Sequence, residues 1–296
     1  MLLPRFDYQR PEDLGEVLKL LAQAGDEARL LAGGTDLLVN LKLGRVSCRL
    51  VVDLDGLDEL KTSSGLGLGL RLGSLLTAAW LARHAGELGL PGLAEAGAAL
   101  GSPQVRNRAT IGGNLCTARP AGDLCTALLA LEAAVVLRGP SGERQLPVDE
   151  FLTGPGLTAI APGEVLAAAR INPEAAMGGS AFEKLGLRRT MEIALVSAAA
   201  WVSAEDDGRT IKAARVALGA VGPTPRLSPA AASALVGRPA GPETFAAAAA
   251  RAAEDARPID DHRGSADYRR QMVAVLTRRA LGRAWGGALA GREAIA

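Results

Sequence analysis

Gly101-Ser102-Pro103-Gln104-Val105-Arg106-Asn107-Arg108-Ala109-Thr110-Ile111-Gly112-Gly113-Asn114-Leu115-Cys116 is the stretch on which the reading of this chain turns. At its centre lies a glycine pair, Gly112-Gly113, flanked by Thr110 and Asn114. A second pair stands upstream in Ala32-Gly33-Gly34-Thr35-Asp36. Each pair follows a short apolar stretch. A Gly-Gly turn lets main-chain N–H groups close on an anion that side chains would hold away. One pair alone reads equally as a tight strand-to-helix turn. Two pairs in one chain suggest an extended ligand carrying a pyrophosphate, gripped at more than one point. Asn107, Thr110, Gly112, Gly113, Asn114, Thr117 and Asp123 concentrate small polar groups in an otherwise Leu/Ala-rich chain. Asn114 can both donate and accept. Asp123 would repel a phosphate. It suits either a sugar hydroxyl or the N-terminus of the following helix, and both readings stay open.

The rest of the chain bounds what that ligand site can be. At 296 residues there is room for two ordinary domains. Hydrophobic residues make up 48% but aromatics only 3%, so the core must be built from Leu, Ala and Val. The 33 basic residues nearly cancel the 32 acidic ones, so no basic excess points to nucleic acid or anionic lipid. Three cysteines, Cys48, Cys116 and Cys125, fit neither a metal knuckle nor a disulfide framework. The N-terminus lacks a signal-peptide pattern, and no apolar run approaches the ~20 residues of a membrane span. A soluble, cytoplasmic protein is the expectation.

Periodicity gives a coarse order of elements. Pro11–Gly25 reads as a helix with Leu14, Val17, Leu18 and Leu21 on one face. Arg29–Ala32 and Leu50–Leu54 read as strands. Between them Thr35 or Asp36 can cap a short helix through Lys42. Gly65–Gly73 reads as a hairpin region rather than a phosphate loop. Thr77 caps a helix to His84, and another runs from Pro91 to near Gly101. Asp123 is placed to cap a helix carrying Leu124, Leu128 and Leu131. Glu132–Leu137 leads into a strand, and Gly139–Gly142 is a turn. A Gly/Pro/Ala-rich stretch at 172–179 marks a domain boundary. Ile193–Ala204 reads as a buried strand that pairs with Ile211–Ala220. Glu243–Ala256 is helical. Ser265 caps a final helix with Tyr268, Met272, Val275 and Leu276 on one face. Its Arg269, Arg270, Arg278, Arg279 and Arg283 read as a solvated face or a partner contact. Neither G-x-G-x-x-G after the strand nor G-K-[ST] is present, which excludes the common nucleotide fingerprints and a P-loop kinase.

The segment 101–116, continuing to Pro120-Ala121-Gly122-Asp123, resembles the flavoprotein (medium) subunit of the molybdenum hydroxylases, a family that includes carbon monoxide dehydrogenase and xanthine dehydrogenase. Ala32-Gly33-Gly34-Thr35-Asp36-Leu37-Leu38 resembles the family's first FAD-binding loop. Ser180-Ala181-Phe182-Glu183-Lys184 with Arg188-Arg189 resembles its entry into a second domain. Asp267-Tyr268-Arg269-Arg270 with Arg278-Arg279-Ala280-Leu281 resembles its closing helix. The similarity runs in order over nearly the whole chain. It is specific for the family and uninformative about the substrate.

The resemblance implies an α+β chain. A two-subdomain FAD-binding domain of the vanillyl-alcohol-oxidase (PCMH) type would span 1–174, with subdomains of about 1–55 and 56–174. A smaller α+β C-terminal domain would span 175–288, with a tail at 289–296. It implies that Ala32, Gly33, Gly34, Thr35, Asp36 and Leu37, with Gly112, Gly113 and Asn114, contact the FAD pyrophosphate and ribityl. Thr110 would line the same cleft, Asp123 would bind a cofactor hydroxyl, and Lys184 would lie near the flavin ring. It implies non-covalent FAD, since His84 and His262 fall outside the flavin motifs. It further implies partner subunits, a small one with [2Fe–2S] clusters and a large one with molybdopterin, in a heterotrimer. Electrons would pass through FAD to NAD⁺, a quinone or oxygen. Arg119 and Glu192 depart from the family pattern without touching FAD binding. The scattered cysteines lack the extra cluster-binding loop of some relatives. A self-contained FAD reductase of the same fold and a flavin-free scaffold are the alternatives.

Overall fold

The computed structural model describes residues 2–65, 69–188 and 191–295, with side chains described to residue 291. Leu66, Gly67 and Leu68 of the glycine–leucine stretch, Arg189 of the Arg188–Arg189 pair and Ala296 lie outside the described residues.

The first layer is small and parallel. β1 (Asp7–Gln9), α1 (Leu14–Ala24), β2 (Ala28–Leu31), α2 (Leu37–Lys42) and β3 (Leu50–Asp53) build a sheet ordered β1-β3-β2. The helix α1 starts later than Pro11, because Asp13 is its cap and accepts from the Glu16 amide. Leu14 and Val17 face the core, and Gly25 ends the helix at φ +51°.

The second layer is antiparallel. It contains β4 (Ser63–Ser64) and β5 (Leu70–Gly73), then α3 (Ala78–His84), α4 (Pro91–Ala99), α5 (Pro103–Arg106), α6 (Ile111–Thr117) and α7 (Asp123–Ala130). The hairpin of β6 (Ala134–Gly139) and β7 (Gly142–Pro147) follows, then α8 (Val148–Phe151), the short pair β8 (Leu152–Gly154) and β9 (Leu157–Thr158), and β10 (Val165–Ile171). The sheet order is β4-β5-β10-β6-β7, so β10 returns through the middle. Thr77 caps α3 by accepting from the Trp80 amide, as expected from sequence.

After α9 (Glu174–Met177), four antiparallel strands follow: β11 (Gly179–Leu185), β12 (Val196–Ala204), β13 (Ile211–Gly219) and β14 (Arg226–Leu227). The helices α10 (Pro229–Ser233), α11 (Pro242–Asp255) and α12 (Ala266–Ile295) complete the chain. The continuous apolar run of β12 has a physical reason. Ala199 and Trp201 join the core of the second layer, while Ala198, Ala200 and Val202 join a separate core under α11 and α12. A strand buried on both faces cannot alternate.

Two expectations at the C-terminus change. The buried face of α12 is Val273, Leu276, Ala280, Leu281, Ala284 and Ala288, whereas Tyr268 is exposed. Arg269 is buried, not solvated: it pairs with Asp261 at 2.6 Å and donates to Leu195 O, strapping the 256–265 loop to the residue that precedes β12. The helix α12 runs on through residue 289 to Ile295. The α12 backbone passes so close to β11 that a Cβ at Gly179 would stand 1.9 Å from Ala284 O. Gly179→Ala should therefore lower stability by about 1–3 kcal/mol, read as a drop in thermal midpoint. An unchanged midpoint would contradict this packing.

Candidate functional site

The structure brings the two glycine pairs into contact. Residues 32–36 leave the C-terminal end of β2 and enter α2, with Gly34 at φ +75°. Gly33 lies flat against the backbone of the second segment. A Cβ there would stand 1.8 Å from Arg108 O and 3.1 Å from Ala109 N. Only glycine permits this approach. Among the described residues, no acceptor is bonded by the amides of Gly33, Gly34, Thr35, Asp36 or Leu37; the first helical bond is Leu38 N to Gly34 O at 3.2 Å. Asp36 holds the cap position of α2 but makes no side-chain cap bond, contrary to expectation. The loop thus keeps five consecutive N–H donors with no partner among the described residues. Ala32, Gly33, Gly34 and Thr35 are half-buried.

The second pair behaves differently, and the expectation of a turn with free amides is corrected. Gly112 and Gly113 occupy the first turn of α6. Thr110 caps that helix, its Oγ1 accepting from Gly113 N at 3.0 Å and its carbonyl from Asn114 N at 3.0 Å. Ile111 N donates to Leu76 O and Gly112 N to Ser74 O. The neighbouring 74–77 loop takes the remaining donors, which is why none is left over. Gly112 is required for packing, since a Cβ would meet Ser74 Cβ at 2.8 Å. At Gly113 a Cβ would meet Thr110 Oγ1 at 3.0 Å but no main-chain atom of another segment within 4 Å. The second pair contributes a smooth surface rather than donors.

From α6 the contacts continue to α7 and β11. Cys125 Sγ lies 3.6 Å from both Asn114 O and Asn114 Oδ1. Asp123 is the first residue of α7, but Gly122 is its cap position and Asp123 makes no cap bond. Its Oδ2 instead accepts from Lys184 Nζ at 2.6 Å, which also donates to Ala99 O at 3.2 Å. Burial pushes the Asp123 carboxyl up to about 6, with the Lys184 ammonium pulling the other way. Asp123 Oδ1 is buried and has no partner. The structure thus joins the 32–37 loop, Thr110–Asn114, Asp123 and Lys184 through one run of contacts.

Sequence reasoning missed Ser74. It is buried, its carbonyl receives Gly112 N, and its Oγ has no partner. The available signal was its place between a strand ending at Gly73 and the Thr77 cap. Thr77 in turn forms a β-bridge with Thr110. Among the described residues no helix is long and apolar enough to cross a membrane.

These features fit a flavin dinucleotide. The unpaired loop amides suit a diphosphate. The Gly113 position, without a side chain, admits close approach. A buried carboxylate oxygen without a partner suits a ligand hydroxyl, because an orphaned acceptor there is otherwise costly.

Comparison with known proteins gives concordant results. A family model described as the FAD binding domain in molybdopterin dehydrogenase matches residues 4–173, and one described as the CO dehydrogenase flavoprotein C-terminal domain matches residues 180–284. The carbon monoxide dehydrogenase medium chain of Hydrogenophaga pseudoflava is 36% identical over 286 residues, covering 96% of this chain and 99% of the relative. The xanthine dehydrogenase FAD-binding subunit of Escherichia coli O157:H7 is 31% identical over 283 residues, covering 94% and 95%. Among solved structures, the carbon monoxide dehydrogenase from Hydrogenophaga pseudoflava lacking the Mo-pyranopterin moiety of its cofactor superposes with a TM-score of 0.91 at 36% identity, covering 97% of this chain and 99% of that one.

Proposed function

This chain belongs to the molybdopterin-dehydrogenase flavoprotein family, as an FAD-binding oxidoreductase subunit, and from that premise we propose that it relays electrons within a molybdenum hydroxylase complex. The proposed partners are a small subunit carrying [2Fe–2S] clusters and a large molybdopterin subunit on which substrate is oxidised. The proposed acceptor is NAD⁺, a quinone or oxygen. The proposed domain limits are 1–174 and 175–288.

When bound, FAD supplies a group that takes up electrons singly and yields them in pairs. The chain's own residues hold and orient it. The Gly33–Leu37 amides donate to the diphosphate. Gly112 and Gly113 leave room beside it, with Thr110 and Asn114 lining the cleft. Asp123 Oδ1 accepts from a cofactor hydroxyl. Lys184 stands behind Asp123 as a buried cation. No covalent attachment is invoked.

The observation that carries this reading is the run of five unpartnered amides at the β2–α2 loop, held against the 108–109 backbone by a glycine that nothing else can replace. The test begins with purification of the full chain together with its neighbours. The expected result is one FAD per chain, released intact on denaturation, and co-purification with iron–sulfur and molybdopterin polypeptides. Colourless protein that cannot be reconstituted with FAD would refute the flavin role. A complete, active enzyme made from this chain alone would refute the relay.

A further inference from the structure

Asp123 and Lys184 belong to different halves of the molecule. One begins α7 within the stretch matched by the FAD-binding model, and the other sits in β11 within the stretch matched by the C-terminal model. Their side chains are only 6% and 12% exposed. The 2.6 Å contact uses Oδ2 alone, and the buried Oδ1 has no hydrogen-bond partner among the described residues. Lys184 Nζ is fixed from a second side by Ala99 O at the end of α4. A lysine so enclosed has its charge directed at one carboxylate.

A buried carboxyl is driven toward its neutral form by loss of solvation. Once protonated it carries an O–H donor, whereas the ionised group is acceptor-only. Resting on the FAD reading above, we infer that Lys184 is a positioning residue that acts on the cofactor through Asp123. It keeps that carboxyl ionised so that Oδ1 accepts from a ligand hydroxyl, and so makes the C-terminal domain a participant in FAD retention.

The surroundings support this assignment. Burial raises the Asp123 carboxyl to about 6, and the Lys184 ammonium opposes the rise. Several of the other titratable groups on the packed elements are neutral or bonded elsewhere. Cys125 on α7 is pushed up to about 12, chiefly by burial, and thiols such as Cys116 on α6 are uncharged below pH 7. Glu95 on α4 is bonded to Phe182 N and Arg283. Arg215 on β13 is paired with Glu132, and Glu183 on β11 with Arg283 of α12. Lys212 on β13, Arg226 on β14, Asp149 and Glu150 on α8, and the exposed Arg278 and Arg279 on α12 are further charged groups, and β12 carries none.

The experiment titrates FAD into the apo full-length chain, reading flavin fluorescence from pH 5 to 8. It uses wild type, Lys184→Met, Asp123→Asn and the double variant. Wild-type affinity should fall about tenfold between pH 7.5 and 5 as a group near 6 protonates. In Lys184→Met that fall should move to higher pH, with a loss of about tenfold at pH 7. Asp123→Asn should show no such pH dependence, and Lys184→Met should add nothing to it. Lys184→Arg should keep the wild-type profile. An equal loss from Lys184→Met with and without Asp123 would assign Lys184 a direct contact and overturn the inference. So would an unshifted pH profile in a Lys184→Met protein whose melting curve matches wild type. If that variant does not fold, a Lys184→Arg profile displaced from wild type would overturn it equally. Wild-type protein that binds no FAD at any pH would overturn the functional reading instead.

Discussion

Gly33→Ala is expected to collapse the cleft, and Gly113→Leu to leave it folded but unable to hold FAD. The two glycines look alike in sequence, yet their surroundings differ in kind. A methyl at residue 33 would stand 1.8 Å from Arg108 O, a main-chain atom that cannot rotate away. The β2–α2 loop must then separate from the 107–110 segment, at a cost of about 3 kcal/mol, and the amide run loses its backing. Thermal midpoint and bound flavin should fall together. At residue 113 a Cβ would meet a hydroxyl of its own helix cap and, within 4 Å, no main-chain atom of another segment. Leucine also has a helix propensity better than glycine by roughly 0.8 kcal/mol, which offsets the tight contact. The melting curve should therefore stay near wild type while FAD affinity drops by at least about 100-fold, or roughly 2.7 kcal/mol. Stoichiometric FAD in a folded Gly113→Leu protein would end the assignment of this surface. An undisturbed melting curve in Gly33→Ala would end the account of the loop contact.

Most of the elements were legible because their signals are local. Thr77 and Ser265 are short polar residues that each meet an amide three positions ahead. The β12–β13 pairing followed from two adjacent apolar runs. The glycine pairs were legible as sites of close approach, but their roles were not. At the second pair, the Thr110 hydroxyl three residues before Gly113 is itself a cap signal. The poor helix propensity of two glycines outweighed it. The partners of the other amides, Leu76 O and Ser74 O, come from a loop some 35 residues away and have no sequence signature. The same holds for Asp123. As a lone residue before an apolar helix it reads as a cap, and the lysine that claims it lies on another sheet. Arg269 reads as surface charge until Asp261 and Leu195 O are brought to it by the fold. Local chemistry thus placed most helices and strands, whereas the roles of Gly112, Asp123 and Arg269 stayed hidden because a group from another segment took the donor or the charge.

That distant pairing gives the cofactor-free protein a pH response opposite in sign to FAD binding. The Asp123 carboxyl ordinarily titrates at 3.8 and is raised to about 6 in the folded chain by burial, against the pull of Lys184. A group that holds its proton more tightly when folded makes stability fall as pH rises between those two values. Two units correspond to roughly 3 kcal/mol lost from pH below 4 to pH above 6, of which about half is regained on acidifying from 7 to 5. The other strongly perturbed carboxylates do not mask this trend. Bonds from Thr210 and neighbouring amides hold Asp207 down to about 2. Despite its burial, Asp261 is held well below the usual range by Arg263 and Arg269. Arg144 lowers Glu164. The stabilisation from those three is lost only as pH drops below the ordinary carboxylate range. Between pH 5 and 7 the apo chain should therefore melt higher as acid is added, while its grip on FAD weakens. Asp123→Asn should flatten the apo trend in that interval. A wild-type midpoint that falls steadily from pH 7 to 5 would mean that Asp123 is ionised at little cost in the folded chain. In that case the buried pair is an ordinary ion pair rather than a carboxylate kept charged for a ligand.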